Sequence, residues 1–208
     1  MGVKSTRIDD LARLHAEIDM CRICEPFVPD YQKPIALDRG EPGTVMIVGQ
    51  GPGKAEARAS RAFAGNAGTR LDNWLVASGA DRTAPRAGIY LTSILKCVSR
   101  DAGKIPLMAR RCDHFLIRQM TILRPALVIT LGRSAYERLR FSESSYEDNL
   151  CNLQSSRKVL LLAEFGFHFD LLPWPHPSGR NRWLNLDENR MRLEATFPLV
   201  RPYIRGAA

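Results

Sequence analysis

No stretch of this 208-residue chain is long and apolar enough to cross a bilayer, and the opening MGVKSTRIDDLARLHAEIDM carries no apolar block of the signal-peptide kind. A cytoplasmic protein without a membrane partner is therefore expected. Cysteine is scarce, and in a reducing compartment the five present are read as metal ligands or buried thiols rather than disulfides. Neither an internal repeat nor a long low-complexity tract occurs, which excludes solenoids and disordered arrays. Negative charge is also in deficit: 22 Asp and Glu against 30 Lys and Arg leave a formal charge of +8. That sign suits a polyanionic partner, because phosphates gain Coulomb attraction and release counterions on a basic face; simple solubility is the competing account. With 45% hydrophobic and 25% charged residues the composition is that of an ordinary globule. Its length fits one domain, 1–208, better than two.

Leu11, Leu14 and Ile18 put an apolar stripe on an N-terminal helix that ends before CRIC. Short apolar runs at 45–49 (VMIVG), 88–95 (GIYLTSIL) and 126–131 (ALVITL) read as buried strands, with helices near 69–78 and 107–123 between them. LGRSAYERL starts a short helix directly after the third strand. KVLLLAEFGFHFDLLPW, 158–174, resumes the sheet as one or two strands, and NLDENRMRLEATF closes with a helix for which Asp187 is the N-cap candidate. Strand, loop and helix in this repeated order predict an α/β fold: a three-layer α/β/α sandwich around a central, mostly parallel four-stranded sheet. Polar residues 141–157 read as a surface insertion.

Three places carry chemistry. Cys21 and Cys24 form a CxxC pair, while Cys97 and Cys112 need the fold to join them; zinc, an iron–sulfur cluster and a chance CxxC beside two buried thiols all remain open at this point. Cys151 is a poor fifth ligand and reads as a partly buried thiol. GQGPG, 49–53, follows the first strand but lacks the Lys-Ser/Thr ending of a P-loop, so it is either a backbone cradle for a base or sugar-phosphate or a tight turn. In RAFAGNAG, Phe63 is a pocket wall for a planar base or a core aromatic, and Asn66 a pocket donor or, preferably, a turn residue. In PHPSGRN, His176 stands between two prolines on stiff, non-helical backbone and can face a leaving group; a structural turn histidine is the alternative. Ser178 and Arg180 suit a phosphate. His15 and His114 are read as surface or supporting groups, and His168 as structural.

Taken in order, CRIC, GQGPGKAEARASRAFAGNAG, YLTSILKC, Cys112, ALVITLGRSA and HPSG resemble the uracil-DNA glycosylase superfamily, particularly its iron–sulfur-containing family 4 and relatives. The resemblance covers about residues 20–185. It implies a DNA glycosylase, acting as a monomer on DNA with a deaminated or modified base and leaving an abasic site. It implies that Cys21, Cys24, Cys97 and Cys112 hold a structural [4Fe-4S] cluster. Gly49, Gln50, Gly51, Pro52, Gly53 and Glu56 match the first motif, Phe63 the residue that stacks on an extruded base, and His176 the group that stabilises the departing base. Ser178, Gly179, Arg180 and Asn181 complete the second motif, closer here to the mismatch-selective and single-strand-selective branches. Arg180, Arg182 and Trp183 would probe the helix, Trp183 as a wedge. The chain departs from the family in two positions. Ser93 stands where the family reads the base with Asn, and neutral Gln50 where it has an acid, so positioning of the attacking water falls to a backbone carbonyl, Asn66 or an unassigned group. A protein that kept the fold to recognise lesions without efficient hydrolysis is the main alternative, and an iron–sulfur redox protein the third.

Overall fold

Four apolar runs, each too short for a helix and free of interior glycine, pair side by side as parallel strands. The computed structural model describes residues 2–27, 43–98, 101–140, 144–155 and 167–205, with backbone only at 2–6, 102, 155 and 205. Strands β1 (Val45–Gly49), β2 (Ile89–Ser93), β3 (Leu127–Leu131) and β5 (Asp170–Trp174) lie in the order β2-β1-β3-β5, all parallel; the two-residue β4 (Gln154–Ser155) adds an antiparallel edge on β5. The expected four-stranded, mostly parallel sheet is therefore present, and β4 joins part of the 141–157 segment to it. Residues 141–143, 156–157 and the run 158–166 lie outside the described residues.

All five residues of β1 and of β3 are buried, as expected for strands covered on both faces. The period of two then sorts side chains between two layers. Met46 and Val48 pack with Met108, Leu116 and Met120 of helix α4 (Ile105–Leu123) and with Tyr136 of α5 (Arg133–Leu139). Val45 and Ile47 face the opposite layer, where Leu71 and Leu75 of α3 (Asn66–Ala77) meet Leu193 of α7 (Asp187–Glu194) and Val200 of α8 (Phe197–Arg205). Between β1 and α3 runs α2 (Lys54–Ala59), and between α5 and β4 the single turn α6 (Tyr146–Asn149). Because β2 and β3 lie on opposite sides of β1, the chain switches direction at β1, which opens a crevice at its carboxyl end. The Gly-rich loop begins there.

Several boundaries differ from the sequence expectation. Helix α3 starts at Asn66, three residues early, and β2 stops at Ser93. The N-cap of α7 is Leu186; Asp187 is the first helical residue and pairs instead with Arg190 one turn on. Arg190 also donates to the Leu184 and Asn185 carbonyls, and Arg192 to that of Leu150, so both arginines help to hold this end of the fold.

The cysteines require a correction. Among the described residues no group of three or more His, Cys, Asp or Glu side chains is placed to hold a metal ion, so Cys21, Cys24, Cys97 and Cys112 do not form the ligand set expected for a [4Fe-4S] cluster. Cys24, Cys97 and Cys112 are buried, Cys24 and Cys97 within the core layer of α4, and none of the five cysteines is in a disulfide. Burial raises the thiol pKa of both Cys24 and Cys112, and the sulfurs of Cys112 and Cys21 add to the effect at Cys24. Cys21, Cys24 and Cys112 are close enough for their charges to interact, without forming a ligand grouping among the described residues. The N-terminal helix α1 (Gly2–Asp19) is tied down by other means: Leu14 and Ile18 pack on Phe115 of α4, Glu17 makes a two-point ion pair with Arg118, and His15 Nε2 bonds the Tyr90 hydroxyl of β2 at 2.8 Å.

Candidate active site at the strand ends

The crevice at the carboxyl ends of β1 and β2 contains a cavity of about 210 Å³. Gly49, Gly51, Pro52, Gly53, Glu56, Phe63, Ser93 and His176 all line it, so three separate motifs converge on one place. Ala62, Ala67, Leu91, Thr92 and Lys96 complete much of the wall. Glycine is needed at the strand end itself: a Cβ on Gly49 would lie 2.9 Å from Cζ of Phe63, so the ring is seated directly on β1.

Phe63 has a left-handed backbone (φ +50°), a conformation that costs a non-glycine residue about 1–2 kcal/mol. Its surroundings hold it there. The Arg86 guanidinium donates to the carbonyls of Ala62 (2.7 Å) and Phe63 (3.0 Å), and is itself held by Asp72 of α3. On the other side, the Glu56 carboxylate accepts the Gly53 N–H and the Ala64 N–H, both at 2.9 Å. Glu56 thereby pins the glycine loop to the Phe63 loop and fixes its own charge at the cavity wall.

His176 comes from the loop after β5. The Ser178 N–H donates to its Nδ1 at 3.1 Å, so the neutral ring carries its hydrogen on Nε2. Burial lowers the His176 pKa below the ordinary histidine range, and the nearby Glu56 carboxylate offsets this in part. The imidazole is therefore neutral near pH 7 and has one N–H to give. Asn181 shapes this loop: its Nδ2 donates to the His176 carbonyl at 3.0 Å and its Oδ1 accepts the Trp183 N–H at 3.2 Å. Gly132 (φ +85°) allows the loop to approach α5, since a Cβ there would lie 3.2 Å from that of His176.

The floor is polar. Ser93 donates its hydroxyl hydrogen to the Leu95 carbonyl at 2.5 Å, which leaves it only lone pairs to offer elsewhere. Lys96 is buried and donates to the Ser93 carbonyl (2.6 Å), Thr92 Oγ1 (2.9 Å) and Gln119 Oε1 (2.9 Å). From there Gln119 Nε2 donates to the Tyr90 hydroxyl at 2.7 Å, which reaches His15.

Other expected site residues lie elsewhere. Asn66 is exposed at the first position of α3 and does not line the cavity. Gln50 is also outside the lining, its Oε1 accepting from the Ser134 hydroxyl at 3.3 Å. Ser178 is half-buried, with its carbonyl 3.5 Å from Arg70 Nη1, while Gly179, Arg180 and Arg182 are exposed on the loop beyond. Trp183 is half-buried against the α3–α8 layer with the Arg192 guanidinium 5.9 Å from its ring. Of the residues the sequence reading did not single out, Leu91 was recoverable, because it shares a strand face with Ser93 two residues on. Arg86 and Asp72 had no such signal, since they meet each other and the Phe63 loop across 14 to 24 residues of chain.

Comparison with known proteins gives the same family. The profile of the uracil DNA glycosylase superfamily matches residues 40–198. Similar curated proteins include type-4 uracil-DNA glycosylases of Archaeoglobus fulgidus (30% identical over 131 residues, 62% of this chain and 61% of that protein) and Pyrobaculum aerophilum (35% over 127 residues, 59% and 61%). A third, from Thermotoga maritima, is 33% identical over 92 residues, 44% and 46% of the two chains. The matched part thus spans less than two thirds of the length of these relatives. The ordered motifs, the parallel sheet that gathers them at its carboxyl edge and the profile match across most of the chain agree: the protein belongs to the uracil DNA glycosylase superfamily, with type-4 enzymes among its relatives.

Proposed function

We propose that this protein is a DNA glycosylase that hydrolyses the N-glycosidic bond of uracil or a closely related deaminated base in DNA and leaves an abasic site. The observation that carries the reading is His176: a neutral imidazole with its Nδ1 occupied by a backbone N–H, lining the same small cavity as the Phe63 ring. In N-glycosidic cleavage the sugar becomes cationic as the C–N bond breaks, and the base leaves with the electron pair. A donor fixed at the base oxygen stabilises that developing anion without reorganising. His176 Nε2–H is that donor, and the Phe63 ring is the stacking wall that holds the extruded base.

The other residues follow from their chemistry. Among the described residues lining the cavity, Glu56 is the one carboxylate. Each of its oxygens accepts one backbone N–H and retains a lone pair, so it can orient a water toward the anomeric carbon and oppose the positive charge on the sugar. Water oxygen bonds to the anomeric carbon, its proton passes to solvent, and the base anion is protonated after release. Ser93, with its hydrogen committed to Leu95, accepts from an imide or lactam N–H such as N3–H of uracil. Exposed Arg180 and Arg182 suit the phosphates around an extruded nucleotide. Domain 1–208 works as a single unit in this reading, monomeric on its DNA.

The test is release of free base and formation of an alkali-labile site from oligonucleotides carrying uracil, hypoxanthine, xanthine or 5-substituted uracils, single- and double-stranded. Release from at least the uracil substrate is expected. A second reading, a lesion-binding protein with little hydrolysis, is favoured by Gln50, whose amide is engaged with Ser134 where the family has an acid. Tight, selective binding of uracil-containing DNA with no release from any substrate would establish it instead.

A further inference from the structure

We propose that Arg86 and Asp72 form a positioning clamp that sets the Phe63 wall of the cavity; what the wall does rests on the glycosylase reading, while the clamp itself does not. Arg86 lies in the turn before β2 and Asp72 on α3, and neither lines the cavity. The guanidinium makes bonds in two directions. Nε and Nη2 hold the Asp72 carboxylate at 2.6 and 3.1 Å, and Nη1 and Nη2 donate to the Ala62 and Phe63 carbonyls at 2.7 and 3.0 Å. These two carbonyls belong to the peptide planes on either side of the Phe63 Cα. Holding both planes fixes φ and ψ of Phe63 together, which is how a phenylalanine is kept at φ +50°.

The plane after Phe63 is gripped at both ends, its oxygen by Arg86 and its nitrogen, that of Ala64, by Glu56. Space for the clamp is reserved by Gly68, where a Cβ would lie 1.7 Å from the Phe63 oxygen and 2.9 Å from Arg86 Nη2. The pair is largely shielded, with side chains 16% and 29% exposed. Lysine cannot replace the arginine, because a point charge with three donors cannot span a carboxylate and two successive carbonyls in one plane. The clamp therefore acts on the base through Phe63, and its loss displaces the ring from its seat on Gly49.

The experiment compares Arg86→Lys and the milder Asp72→Asn with the wild type by two readouts. Backbone hydrogen exchange across residues 61–68 should rise in both variants while that of β1 and β3 stays unchanged. Unchanged exchange at 61–68, or a rise spread equally over β1 and β3, would overturn the clamp. Single-turnover uracil release should slow by about 10- to 100-fold, the scale expected when a positioning group shifts by an ångström. In a Phe63→Ala background the same substitutions should slow release by less than about 2-fold, because the group they position is gone. Full multiplication of the two effects would show a structural role alone and reject the proposal. A wild type inactive on every substrate would remove the glycosylase reading, and the exchange data would still decide the clamp.

Discussion

At His176 the backbone and the burial of the ring act on the same proton. The Ser178 N–H occupies Nδ1 and desolvation disfavours the cation, so the neutral Nε2–H form is the resting state. Replacing His176 with Ala removes one fixed donor, and single-turnover release of uracil should fall by about 10²–10³-fold with the melting temperature little changed. Because the folded pKa lies below the ordinary value, the unfolded chain takes the proton first as pH falls. Stability associated with this residue is thus intact above the ordinary histidine range and is lost as pH drops through it toward the folded value. Activity should follow, with an acid limb centred below that range. Since Glu56 raises the His176 pKa, Glu56→Gln should move the limb to still lower pH; a limb that stays in place under that change would separate it from His176. His176 was readable from its two flanking prolines, and Phe63 from its small-residue setting. Arg86 was not, because the carbonyls it binds lie 23 and 24 residues away and no periodicity links them.

Loops and strand ends carry the site, and the strands were the most legible elements. Runs such as VMIVG and LVITL are apolar at nearly every position, as a strand covered on both faces requires at that length. Termini were less legible: α3 is capped by Gly65, which has no side chain to accept a capping hydrogen bond, so its start was set too late. The cysteine spacing misled for a related reason. CxxC keeps two cysteines close along the chain, and the fold brings Cys112 near them, yet among the described residues no group of three or more ligating side chains is placed to hold a metal ion. Element contacts also predict the response to small changes. Gly68→Ala puts a methyl group against the Phe63 carbonyl and should cost about 1–3 kcal/mol, measured by denaturant unfolding. It should slow base release as well, through the displaced Phe63 loop. By contrast Leu75→Ala, on the same helix but facing the sheet, should cost about 2–5 kcal/mol and leave the acid limb where it is.

For the molecule as a whole, the sheet order β2-β1-β3-β5 decides where chemistry is possible, because it opens the crevice at the end of β1 and brings loops from three parts of the chain to it. Sequence order gave the layers, but the pairing of β5 beside β3, and hence the approach of His176 to the glycine loop, came only with the tertiary structure. The formal charge of +8 belongs to this scale too. No helix among the described residues is long and apolar enough to cross a membrane. If the basic surface meets DNA phosphates, affinity should fall linearly in log–log terms with salt, and Arg180→Ala or Arg182→Ala should each reduce the slope by about one. In the proposed mechanism a neutral His176 acts on a base stacked against Phe63. The most direct test of that step is single-turnover release of uracil from a DNA oligonucleotide by wild-type and His176→Ala protein, with DNA affinity measured in parallel. Release by the wild type and a loss of about 10²-fold or more in the variant, at nearly unchanged affinity, are expected. Equal rates for the two proteins, or no release by the wild type from any uracil substrate, would contradict the mechanism.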